Sequence, residues 1–271
     1  ALGPHATDTV SDALLARTTK AAEDSNLPVH LHVAQSIEEF ERSQDAHGFS
    51  PIERLHRSGL LDAAPATLLV HGLYVSETDL ARLSSQKHCL GYCPSSQIQF
   101  GFPAAIHHWQ RSGIPIALGT DCGASNDSMN VQLELRLLAN GSQFAVSHSD
   151  AARTFATEGA IEAARELESL RRHHGRGSAT ASHHERLLAS LWRHPGALSQ
   201  RLATGAISPG CRANLVVYDC DHPSLWPVHA PLRALTMSDV APAIWGCMIN
   251  GIWRGTSGRF QQSLVDNDTF R

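Results

Sequence analysis

Three positions that could hold a cation or move a proton stand where short apolar runs end. His32 lies near the end of Val29-His30-Leu31-His32-Val33-Ala34, His71 follows Ala66-Thr67-Leu68-Leu69-Val70, and Asp121 follows Ile114 to Leu118 through Gly119-Thr120. A further polar cluster, Pro94-Ser95-Ser96-Gln97, closes the run from Cys89 to Cys93. His30 and His32 alternate along one strand, so both imidazoles leave the same face, about 6.6 Å apart. For His30 alone, a packed, hydrogen-bonded core histidine is the competing explanation. A carboxylate at the end of a buried strand is costly unless it is paired or bound to metal. Two imidazoles and one carboxylate converging on a cation offer nitrogen and oxygen donors that suit zinc or iron. The 17 histidines include the adjacent pairs His107-His108, His173-His174 and His183-His184. Neighbours in sequence split across the faces of a helix, so these pairs read as surface positions.

The elements that must position these residues alternate regularly. A helix over Val10–Asp24 precedes the first strand, and Ser36 caps a second helix with Glu39 three residues on. Another helix begins after Pro51, Ser76 caps a helix from Glu77 to Gln86, and further helices cover Pro103–Arg111 and Asp127–Leu138. Successive strand–helix units imply parallel strands joined by crossovers, in a (β/α) barrel or an open doubly wound sheet. No GxGxxG or GxxxxGK[ST] is present. Polar residues gather at strand ends, which is where barrel enzymes place their chemistry, and the barrel is the expected architecture. Residues 158–190 change character to Ala, Arg, Glu and His, with an exposed tract from Arg171 to Ser178. From Gly205 onward the texture is β, with Asn250-Gly251 as a type I′ hairpin signal.

The 271 residues are 42% hydrophobic, enough for a sizeable core. A net charge of −4 and the lack of a long apolar run argue against nucleic-acid or membrane partners. Six cysteines without a CxxC pair are expected to be reduced, mostly buried thiols of a cytoplasmic protein, and no leader segment opens the sequence. Trp192, Trp226, Trp245 and Trp253 are expected to pack between the barrel and the β portion.

Five ordered motifs carry a resemblance to a known family: Gly3-Pro4-His5-Ala6, His30-Leu31-His32-Val33-Ala34, Val70-His71-Gly72, Cys93-Pro94-Ser95-Ser96 and Leu118-Gly119-Thr120-Asp121. Together they resemble the amidohydrolase superfamily, in its aminohydrolase and chlorohydrolase branch. Gly205 to Gly210 with Ala213-Asn214-Leu215-Val216-Val217 resembles the strand pair of that family's small composite β-sandwich. The resemblance implies a TIM-type α/β fold, with residues 1–204 supplying the C-terminal half of the barrel, strands five to eight, and residues 205–271 supplying sandwich strands. It implies one divalent metal, zinc first and iron second, held by His32 and Asp121. His71 would move protons, and Asp121 would take one from a metal-activated water. His5 would contact substrate, with Ser125 and Asn126 rimming the pocket.

Two departures stand out. Where the family has a glutamate acting on a ring nitrogen, this chain has Gln35, whose amide can bind substrate but cannot shuttle a proton. The family's first-strand HxH pair has no counterpart here. The expectation is therefore a portion of a longer chain, with half-barrels pairing as a homodimer as the alternative. The implied activity is hydrolytic deamination or dechlorination of a small nitrogen heterocycle. Alternatives are formiminoglutamate deiminase-like cleavage of an acyclic amidine, and a catalytically impaired module.

Overall fold

Val29, Leu31 and Val33 are buried on one face of the first strand while His30 and His32 leave the other. His30 is exposed on that open face. A computed structural model describes residues 1–102, 104–147, 149–174, 181–199, 201–256 and 259–260. After helix α1 (Asp12–Ser25), strand β1 (Val29–Val33) leads through α2 (Ile37–His47), α3 (Pro51–Arg57) and α4 (Leu60–Ala63) to β2 (Thr67–His71). Helix α5 (Glu77–Ala81) leads to β3 (His88–Tyr92), and α6 (Pro94–Phe100) and α7 (Ile106–Ser112) lead to β4 (Ile116–Leu118). Helix α8 (Val131–Ser147) follows, then α9 (Asp150–Glu158), α10 (Ile161–His174), α11 (Ala181–Ala189) and α12 (Arg193–Ala197).

The four strands are parallel and lie in the order β1-β2-β3-β4. A doubly wound sheet reverses its strand order at a switch point, whereas sequential order is that of a barrel wall. This is a (β/α)-barrel portion, and the described strands do not close into a ring. Leu31, Leu69 and Leu90 stand side by side in register and pack with Ile52, Leu55, Trp109 and Leu135 from the helices. The opening residues flank β1. Leu2 and Ala6 bridge Val29 and His32 in parallel, and the His32 N–H donates to the His5 carbonyl at 3.0 Å. At the opposite edge, the Leu118 N–H donates to the Ser190 carbonyl and His194 Nδ1 donates to the Ile116 carbonyl. Both edges thus have part of their hydrogen bonding met.

Ser36 and Ser76 cap helices as expected, but α5 stops at Ala81, short of Gln86. Helix α8 starts later than expected because the Asn126 and Asn130 side chains accept backbone N–H groups and hold turns ahead of it. Helix α6 had no sequence prediction at all. Pro94 sits in its first turn, where the missing N–H costs nothing.

A second, antiparallel sheet runs β5 (Leu215–Tyr218), β6 (Ile244–Ile249), β7 (Ile252–Thr256) and β8 (Arg259–Phe260), with α13 (Pro231–Met237) between β5 and β6. Asn250 (φ 56°) and Gly251 (φ 79°) form the expected left-handed hairpin turn. The tryptophan expectation fails, since Trp226 is 66% exposed and Trp245 and Trp253 meet edge to face on a half-open surface. The fully buried indole is Trp109, set against Tyr92. All six cysteines are free, but only Cys89 and Cys93 are buried. His184, expected at the surface, is buried and bonded to Thr236. The side chains of His107 and His173-His174, and residues 175–180 of the basic tract, lie outside the described residues. Among the described residues no helix is long and apolar enough to cross a membrane.

His88 gives the fold a measurable acid sensitivity. It is buried, 2.8 Å from Thr67 Oγ1, and burial, with Lys87 adding, pulls its pKa down to about 4. The unfolded chain titrates near 6.5, so this contribution is complete above that pH and is lost as pH falls toward 4, at most about 3 kcal/mol. Replacing His88 with Gln should narrow the stability gap between about pH 7 and about pH 5 in denaturant titrations. An unchanged gap would contradict the assignment.

Candidate metal centre

Left-handed backbone shapes the strand ends. Ala34 (φ 50°), His71 (φ 77°) and Asp121 (φ 61°) all lie in a region that costs a non-glycine residue roughly 1–2 kcal/mol. Strand alternation would send His71 to the helix side with Leu69. Its positive φ instead brings the ring onto His32, with centroids 5.3 Å apart and planes 21° from parallel. Gly72 N–H to the Val33 carbonyl and Leu73 N–H to the Ala34 carbonyl hold this turn against β1.

His32 Nδ1 lies 2.7 Å from the His5 carbonyl. A carbonyl only accepts, so the proton is on Nδ1 and Nε2 keeps its lone pair, the form that binds metal. The His5 ring sits 5.2 Å from His32, its own Nδ1 on Thr9 Oγ1. Asp121 accepts the Ser96 hydroxyl at 2.6 Å on Oδ2 and the Cys122 N–H at 2.8 Å on Oδ1. Donor atoms of His71, Cys93 and Asp121 fall within 4.8 Å of one another. His71 is 1% exposed, and burial, with His32 adding and Asp121 opposing, takes its pKa down to about 4, so it is neutral near pH 7. Burial, with Asp121 adding, pushes the Cys93 thiol up to about 12 and keeps it protonated.

The structure therefore gathers His5, His32, His71 and Asp121. His32 stands one ring away from the tightest donor set. Gln35 lies just past β1, its N–H held by Glu39 Oε2 at 2.7 Å, and its side chain makes no hydrogen bond among the described residues. Ser125 lies four residues past Asp121. It is buried, and its hydroxyl donates to the Cys122 carbonyl, so it braces the loop after Asp121.

Sequence reasoning missed Cys93, Ser96, Gln97 and Glu134. Ser96 and Gln97 belong to the polar cluster noted after β3, and Pro94 ahead of them was the available sign of a helix start. Gln97 Nε2 lies 3.1 Å from His71 Nδ1. Glu134 on α8 is 1% exposed and accepts from Ser95 N, Ser95 Oγ and Asn126 Nδ2 at 2.9, 2.7 and 2.7 Å. Asn126 also donates to the Thr120 carbonyl, so one carboxylate braces the neighbours of both Ser96 and Asp121. Glu39 does the same below Gln35, accepting from Thr7 Oγ1 and from the N–H groups of Ala34 and Gln35. Imidazole nitrogens and one carboxylate fit a divalent cation of the zinc or iron kind.

The 5-methylthioadenosine/S-adenosylhomocysteine deaminase of Thermoanaerobacter pseudethanolicus is 30% identical over 252 residues, covering 92% of this chain and 51% of that protein. An adenosine deaminase from Xanthomonas campestris with bound zinc superimposes with a TM-score of 0.75 at 25% identity, over 99% of this chain and 54% of the other. Atrazine chlorohydrolase from Arthrobacter aurescens, complexed with zinc, shares the fold with a TM-score of 0.75 at 19% identity, over 98% and 52% of the two chains. The chain thus spans about half the length of the relatives it matches. Residues 1–165 match the amidohydrolase family, and the chain belongs to that family.

Proposed function

We propose that this chain carries the metal and proton-transfer half of a hydrolase that removes the amino group of a small nitrogen heterocycle, with zinc as the ion. In this reading residues 1–204 supply the barrel portion and residues 205–271 the β portion. The observation that carries it is the Asp121 carboxylate, held by Ser96 and the Cys122 N–H beside a neutral, buried His71. His32 and Asp121 would hold the ion. A divalent cation bound there makes water acidic enough to lose a proton near neutral pH. Asp121 would take that proton on a carboxylate oxygen, and His71 would offer a ring nitrogen to the reacting centre. A C–O bond from water would then replace the C–N bond at the ring carbon, and the proton held on Asp121 would pass to the departing amino nitrogen, which leaves as ammonia. His5 lies beside His32 as a substrate contact.

The names of the relatives support adenine nucleosides as the first substrates to try. The assay measures ammonia and chloride release by the zinc-loaded protein from adenosine, 5-methylthioadenosine, S-adenosylhomocysteine, atrazine and an N-formimino amino acid. Ammonia from the nucleosides supports the proposal. Release only from the N-formimino compound would replace it with amidine hydrolysis, and no release from any would contradict it. Gln35 is a handicap in this chemistry because an amide moves no proton, and Gln35→Glu is expected to raise nucleoside deamination about a hundredfold. A loss of rate would mean that the reaction uses the amide itself.

A further inference from the structure

We propose that Gln97 fixes His71 with its proton on Nε2, so that the stacked pair His32 and His71 is held in opposite tautomers and divides two roles. His32 would offer a lone pair to a cation, and His71 an N–H to the reacting centre. The inference rests on the metal-hydrolase reading and assigns a positioning residue within it.

The two rings look alike, stacked 5.3 Å apart at neighbouring strand ends. Their Nδ1 partners are of opposite kinds. His32 Nδ1 faces the His5 carbonyl, an obligate acceptor, so it must donate. His71 Nδ1 faces the amide nitrogen of Gln97, an obligate donor, so it must accept. A neutral imidazole carries one proton, which for His71 is then on Nε2. A histidine that binds metal through Nε2 donates its other N–H outward, as His32 does and His71 does not.

Gln97 has little freedom to present its other end. It is 2% exposed, and its backbone is tied at both groups, its N–H to the Cys93 carbonyl and its carbonyl to the Phe102 N–H. Its Oε1 is buried with no hydrogen-bond partner among the described residues. Turning the amide over would place Oε1 on His71 and leave the NH2 group in that same pocket. Buried N–H groups without an acceptor are rarer than undersatisfied carbonyls, which favours the orientation seen. His71 cannot turn away either, being buried and stacked on His32.

The test is long-range nitrogen–proton correlation NMR on histidine-labelled, metal-free protein, which needs no activity. The expected spectrum shows His32 protonated at Nδ1 and His71 at Nε2. Gln97→Glu replaces the donor with an acceptor and should move the His71 proton to Nδ1. It should also tighten zinc binding about tenfold or more, because His71 then becomes available as a ligand. Should that variant fail to fold, Gln97→Leu removes the partner and should leave His71 exchanging between both forms. A wild-type His71 protonated at Nδ1, or a Leu variant still fixed at Nε2, would overturn the proposal. If the tautomers are as expected but no ammonia is released, the functional reading fails and the assignment of Gln97 stands.

Discussion

Glu134→Ala is expected to destabilise the protein by about 3 kcal/mol. The carboxylate is buried and accepts from the Ser95 amide, the Ser95 hydroxyl and the Asn126 amide. Truncation leaves the half-buried Ser95 N–H and hydroxyl without this acceptor, leaves the Asn126 amide with only the Thr120 carbonyl, and opens a small cavity, each lost acceptor costing about 1–3 kcal/mol. Relief from burying a charge offsets only part of this. Glu134→Gln keeps the shape but turns one acceptor into a donor facing a donor, so its cost should be smaller. Denaturant titration of both variants checks the order. A loss under about 0.5 kcal/mol for the alanine variant would mean the carboxylate is not the brace described here. Zinc affinity should fall with stability, because Ser95 adjoins Ser96 and Thr120 adjoins Asp121.

In the proposed reaction, Asp121→Asn is expected to lower nucleoside deamination about a thousandfold while changing stability by less than about 1 kcal/mol. The two effects separate for structural reasons. Asp121 has φ 61°, and asparagine is among the few residues that accept left-handed backbone readily. An asparagine carbonyl can still take the Ser96 hydroxyl or the Cys122 N–H that the carboxylate takes now. It carries no charge for a cation, and it cannot accept a proton from water at neutral pH. Initial rates of ammonia release by zinc-saturated protein check this. Activity within a few fold of wild type would remove Asp121 from the proton path.

The sequence made the scaffold legible where burial has a period. Apolar alternation with Pro and Gly punctuation placed all four parallel strands within a residue or two, and the strand ends then pointed to His32, His71 and Asp121. Asn250-Gly251 announced its hairpin for an equally local reason. What escaped depends on partners distant in sequence. Nothing in Glu134 distinguishes a solvated helical glutamate from one closed over by Ser95 and Asn126. Ser96 and Gln97 stood in a noted polar cluster, but only helix α6 aims them at Asp121 and His71. The bond by which Ser125 braces its own loop was equally hidden, since a hydroxyl beside a site residue gives no sign of where it donates. The left-handed backbone at His71 itself is hidden too, since the glycine of that turn, Gly72, stands one residue later.

The most direct test of the metal assignment is the zinc content of the purified chain after equilibration with zinc and exhaustive dialysis, measured alongside His32→Ala. About one zinc per wild-type chain, lost in the variant, is the expected result, because His32 presents the free Nε2 lone pair. A wild-type chain that retains no zinc, or a His32→Ala variant that keeps its full complement, would contradict it.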